Sequence, residues 1–162
     1  MKITTKKLAR AGVIAGLYTV ISMLVFPLAG GAVQIRISEA LTILPLFFIE
    51  AIPALFVGCL VSNLILGLAI YDILLGSLVT LVSAILTYFI GKVIKRHILK
   101  VLFGGIFPIV LNAFFLPLIW LLCYGTIEYV YHLQVIILFI GQTISVYLFG
   151  FPLYFAVNKK LK

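Results

Sequence analysis

Five apolar runs follow one another through this chain with little between them: residues 8–29, 40–70, 73–91, 101–123 and 133–157. A helix needs about 20 predominantly apolar residues to cross the hydrocarbon of a bilayer. In that setting each spanning segment must satisfy its own backbone polar groups, as an α-helix does. The runs therefore restrict the chain to an all-α integral membrane protein. Of its 162 residues, 65% are hydrophobic and 10% charged, against roughly 25% charged in soluble domains. The expectation is a single transmembrane domain over residues 1–162, embedded in a lipid bilayer.

The net charge of +8 would suggest nucleic acid in a soluble protein, but the positions of the cations argue for topology and against a nucleic-acid partner. Lys2, Lys6, Lys7 and Arg10 form one group, Lys92, Lys95, Arg96 and Lys100 a second, and Lys159, Lys160 and Lys162 a third. All three flank apolar runs, and Arg36 alone stands apart. The basic start followed by an apolar stretch resembles a signal peptide. However, 8–29 exceeds a signal-peptide core of about 7–15 residues, so it reads as an uncleaved first span.

Clusters of Lys and Arg stay on the cytoplasmic side. With the N-terminal group inside, the chain emerges near Gly30-Gly31. A single pass through 40–70 would then strand the 92–100 cluster outside. An even number of passes restores it. Two short or oblique helices broken around Glu50-Ala51-Ile52-Pro53 satisfy parity, and so does a re-entrant segment. Pro53 suits a helix start, where its missing N–H is harmless. The expectation is six transmembrane helices with both termini cytoplasmic, a basic inner face, and an outer face carrying Arg36, Glu39, Tyr71, Asp72, Glu128 and His132. Glu50 falls at the inner turn.

Ionisable groups within a membrane are costly and usually functional. Asn63, Ser77, Thr80, Ser83, Asn112 and Gln142 interrupt the apolar runs. Taken singly, each amide suits an interhelical hydrogen bond. Taken with Glu39, Asp72 and Glu128, they suit a shared outward pocket. Cys59 and Cys123 sit apart in apolar surroundings and read as packing residues, with no disulfide, metal site or cofactor expected. His97 and His132 read as surface residues. Ala11-x-x-x-Ala15 and Gly12-x-x-x-Gly16 allow close helix approach, either within the protein or to another subunit. The chain contains no phosphate loop, zinc signature or nucleophile elbow and no inverted repeat. It does not read as an enzyme. A pocket without an engine suggests the binding subunit of a larger machine.

Arg36-Ile-Ser-Glu-Ala-Leu-Thr, Leu44-Pro-Leu-Phe-Phe, Glu50-Ala-Ile-Pro, Gly58-Cys, Asn63, Asp72 and Gly76-Ser resemble the QueT family. These are S components of energy-coupling factor (ECF) transporters assigned to queuosine precursors. Ile49 departs from the family pattern, where Pro is usual, and this bears on the inner turn. The resemblance implies the six-helix S-component fold in a bacterial cell membrane. It also implies a substrate site near the outer face, closed by the loops after helices 1, 3 and 5. Ala11 and Ala15, with Gly12 beside them, would dock onto a transmembrane T subunit, and two cytoplasmic ATPase subunits would complete the importer. The S component would topple in the membrane to release its cargo.

A 7-deazaguanine presents an N1–H and an exocyclic amine on one edge, which a carboxylate accepts in strong charge-assisted bonds. Queuine and precursors with an aminomethyl arm add a cation that an acidic face attracts. Glu39 and Asp72 are the expected contacts for that edge or the ammonium. Asn112 and Gln142 are expected to read the carbonyl and ring nitrogens, Tyr71 and Trp120 to stack, and Asn63 to join the site. Glu128 adds to the acidic face, and Arg36 either supports Glu39 or touches ligand. Three alternatives stay open on the residues alone: a stand-alone carrier coupled to protons through a carboxylate such as Asp72, an S component for another vitamin, and a membrane protein whose polar groups only pack helices.

Overall fold

The computed structural model describes residues 4–29, 36–125, 127 and 129–161. Those residues are helical almost throughout and form six helices in chain order: α1 (Thr5–Ala29), α2 (Ile37–Leu46), α3 (Ala51–Ile65), α4 (Asp72–Val93), α5 (His97–Tyr124) and α6 (Tyr131–Leu161). Within the described residues α1, α4, α5 and α6 are long and apolar enough to cross a membrane, while α2 and α3 are shorter. The break inside the apolar run 40–70 falls where the Glu50–Pro53 sequence places it, since α3 begins at Ala51 with Pro53 in its first turn.

The short first half of that run is the centre of the molecule. α2 winds as a 3-10 helix and is buried from Ser38 to Leu46. It packs against α1 and α4 and against the second half of α6. Glycines let its neighbours come close. A Cβ on Gly91 of α4 would meet the Leu46 carbonyl oxygen at 2.7 Å, and one on Gly150 of α6 would meet Ile43 at 3.0 Å. Next to it, α1 and α3 meet through Gly58, where a Cβ would stand 2.9 Å from the Tyr18 Cβ and 3.0 Å from the Ala15 carbonyl oxygen. α4 and α5 are tied by Thr87, whose hydroxyl donates to the Gly104 carbonyl at 2.9 Å. α5 ends on Gly125, at φ 70°, a left-handed position that glycine occupies freely; its N–H returns to the Leu121 carbonyl.

The two ends of the bundle differ in chemistry. At one end, Arg10 near the start of α1 donates to Glu50 in the α2–α3 turn at 2.7 Å, with its guanidinium 4.0 Å from the Phe48 ring centre. His97 at the start of α5 pairs with the Tyr154 hydroxyl of α6 at 2.9 Å. Lys92, Lys95, Arg96 and Lys100 lie at the α4–α5 junction, and Lys159 and Lys160 lie at the end of α6. The other end carries Arg36, the end of α3, Asp72 and the end of α5. α2 therefore runs from this second end toward Arg10, and α3 returns. Most large apolar side chains on the outside of the helices are exposed, as expected where the solvent is lipid.

Candidate functional site

At the end opposite the basic clusters a cavity of about 280 Å³ opens between α1, the start of α2, the end of α3, the start of α4 and the end of α5. Pockets for drug-sized ligands run from about 300 to 1,000 Å³, so this one suits a small solute. Four of the expected residues line it: Arg36, Asn63, Asp72 and Trp120.

Asp72 makes three hydrogen bonds to neighbouring helices. Its Oδ1 accepts the Trp120 indole N–H at 2.8 Å and its Oδ2 accepts the Tyr124 hydroxyl at 2.8 Å. Its carbonyl oxygen accepts the Asn63 amide at 3.2 Å. The carboxylate thus ties α4 to α5 while the backbone ties α4 to α3. Asp72 opens a single π-helical turn, Asp72–Gly76, an irregularity that often marks functional positions. An ionised carboxylate offers about four lone-pair directions, and these two bonds use one on each oxygen.

Glu39 lies one layer deeper and is 1% exposed. Tyr18 donates to its Oε1 at 2.6 Å, and Asn112 donates to its Oε2 at 3.2 Å. Tyr18 lines the cavity, whereas Glu39 and Asn112 do not. Tyr18 therefore links the cavity wall to the buried carboxylate. Arg36, on the cavity wall, is near enough to act on Glu39 through its charge. Ser22 of α1 and Ser38 of α2 close the same side with a 2.8 Å hydroxyl–hydroxyl bond.

The remaining expectations fall elsewhere. Tyr71 is exposed beside the cavity and meets Tyr124 edge to face, with ring centres 6.3 Å apart. Gln142 is fully buried in α6 away from the cavity lining, and its amide oxygen and nitrogen have no hydrogen-bond partner among the described residues. Ser77, Thr80 and Ser83 donate largely to carbonyls of their own helix. Glu128 lies outside the described residues. On α1, Ala11 and Ala15 are partly buried against the core, while Gly12 and Gly16 face outward, with nothing within 4 Å of where a Cβ would stand. Tyr18, Ser22, Ser38, Ser62 and Tyr124 belong to the site or its frame and were not singled out by the sequence. The signal for the first two was there: Tyr18 and Ser22 follow Ile14 at four-residue spacing, which puts hydroxyls on the inward stripe of α1.

These features define a helical membrane protein with a solute-sized cavity at one end of its bundle, walled largely by apolar side chains with a few polar groups among them. The sequence matches the family described as QueT transporter over residues 8–159, nearly the whole chain, and the protein belongs to that family. Membership points to transport and not to catalysis. No curated protein and no solved structure matched the chain.

Proposed function

We propose that the protein is the substrate-binding S component of an ECF importer for a queuosine precursor, either a 7-deazaguanine base or queuine. It crosses the bacterial plasma membrane six times with both termini in the cytoplasm and opens its cavity outward. A T subunit and two ATPase subunits complete the machine and drive release inside. No cofactor takes part.

The observation that carries this reading is the cavity itself in a chain that belongs to the QueT family. A small space whose largely apolar wall carries a carboxylate, a guanidinium, an amide and an indole suits a flat ring with hydrogen-bonding edges. Asp72 accepts the donor edge or the ammonium arm, Asn63 reads a polar ring atom, and Trp120 provides the stacking face. Glu39 acts on the solute through the Tyr18 hydroxyl, with Asn112 holding the carboxylate from behind and Arg36 balancing its charge. Tyr71 and Glu128 contribute to the outer rim.

The test is mass spectrometry of small molecules released from the purified protein, followed by calorimetric titration with queuine. A released deazapurine and saturable queuine binding support the reading. Absence of both rejects the cargo. Co-purification of the chain with a T subunit and ATPases tests the assembly separately.

A further inference from the structure

We propose that Tyr124 is a positioning residue of the cavity: acting through Asp72, it fixes the plane of the Trp120 indole, the flat wall against which a ring-bearing solute stacks. The inference rests on reading the cavity as the solute site and adds to it a residue that does not touch the solute.

The geometry is a three-part relay. Trp120 and Tyr124 are four residues apart on α5 and therefore share a face. One carboxylate spans both, with Oδ1 on the indole N–H and Oδ2 on the phenol hydroxyl, each at 2.8 Å. A carboxylate held at one oxygen turns about its Cβ–Cγ bond, and held at both it cannot. The backbone of Asp72 is anchored as well, since its carbonyl oxygen accepts from Asn63. A carboxylate fixed in this way fixes the indole that donates to it, because rotating the ring would break a charge-assisted bond. Tyr71 braces the Tyr124 ring edge to face. Trp120 and Asp72 line the cavity, whereas Tyr124 does not. Removing the Tyr124 hydroxyl therefore removes no solute contact.

Trp120 is the only tryptophan in the chain, so every indole signal reports this ring. The experiment uses the full-length protein in lipid nanodiscs, comparing parent, Tyr124→Phe, Asp72→Ala and the double variant. Indole fluorescence anisotropy and the near-ultraviolet circular dichroism of the indole are recorded without ligand, and queuine affinity is then measured by calorimetry. Tyr124→Phe is expected to lower the anisotropy, flatten the indole dichroism and weaken queuine about tenfold, the scale of one hydrogen bond to a charged group. In the Asp72→Ala background the same substitution is expected to change nothing further.

Unchanged indole signals in Tyr124→Phe overturn the proposal, as do altered signals with unchanged affinity in a parent that binds queuine. Additive losses in the double variant overturn it too, because they mean that Tyr124 does not act through Asp72. If the parent fails to bind queuine, the cargo assignment fails on its own. The ligand-free indole signals and their non-additivity then still decide whether Tyr124 positions Trp120.

Discussion

Glu39 shows how a single residue serves both stability and the site. It is buried among apolar side chains, and it is kept there by two donors that are themselves buried, Tyr18 and Asn112. Truncation to alanine strands both, and a buried polar group left without a partner costs about 1–3 kcal/mol. Glu39→Ala is therefore expected to unfold at a clearly lower temperature in detergent and to bind queuine more weakly. Glu39→Gln keeps the volume and an acceptor for Tyr18, so it is expected to lose less of both. A Glu39→Ala protein with the parent's melting temperature would refute the account. Arg36, Glu39, Asn63, Asp72 and Trp120 were legible in the sequence because a charge, amide or indole contrasts sharply with an apolar run. Tyr18 and Ser22 carried only the weaker signal of their spacing from Ile14, and the other serines carried none, because hydroxyls are tolerated anywhere in a membrane helix, where they donate to the preceding turn as Ser77 does. The depth of Glu39 was also hidden, since sequence position does not reveal that Tyr18 from another helix donates to it.

At the scale of elements, the division of the 40–70 run was readable from charge parity and from Pro53, while the winding of its halves was not. Hydropathy is blind to whether a turn is 3-10, α or π. A 3-10 helix rises about 2.0 Å per residue, so α2 extends about 20 Å, and α3 at about 1.5 Å per residue extends roughly 22 Å. Each falls short of a hydrocarbon core of about 30 Å; α2, the shorter, is enclosed by its neighbours, whereas α3 keeps an exposed face. The bundle depends on close approach at Gly58. Gly58→Val would drive side-chain atoms into the Ala15 backbone and the Tyr18 Cβ, neither of which can swing aside. Overpacking of this kind typically costs about 1–3 kcal/mol, and a lower melting temperature with parallel loss of queuine binding is expected. A Gly58→Val protein as stable as the parent would show that the α1–α3 contact is looser than these distances require. On the opposite face of α1, Gly12 is open, and only 11% of the apolar window of that helix is buried, against 33–39% in the other long helices. Gly12→Leu is therefore expected to leave folding and queuine binding intact while abolishing co-purification with the T subunit. It is a cleaner probe than Ala15, which already contributes to the internal packing. Undiminished co-purification would remove α1 from the docking surface.

Over the whole molecule, charge is sorted by end. Arg10, Glu50, Lys92, Lys95 and Arg96 gather where α1 starts and α4 ends, and Arg36 and Asp72 frame the cavity at the far side. This sorting was legible from the sequence because cations near short loops obey a rule about membrane sides that needs no knowledge of packing. The cavity was not legible as a shape, since its walls are drawn from residues spread between Tyr18 and Trp120. The orientation it implies can be read with single cysteines. The native thiols are Cys59, buried, and Cys123, partly buried, and both are replaced first (Cys59→Ala, Cys123→Ser). Ala69→Cys lies in the exposed α3–α4 connection at the cavity end, and Lys95→Cys in the exposed α4–α5 junction at the basic end. A membrane-impermeant thiol reagent applied to intact cells is expected to label Ala69→Cys and spare Lys95→Cys until the membrane is opened. Ile49→Cys, in the turn beside the Arg10–Glu50 pair, is expected to follow Lys95→Cys, because α2 and α3 carry the chain to the basic end and back. Labelling of Lys95→Cys alone in intact cells would invert the protein and turn its cavity toward the cytoplasm. Labelling of Ile49→Cys together with Ala69→Cys would mean that α2 and α3 dip into the membrane without crossing it.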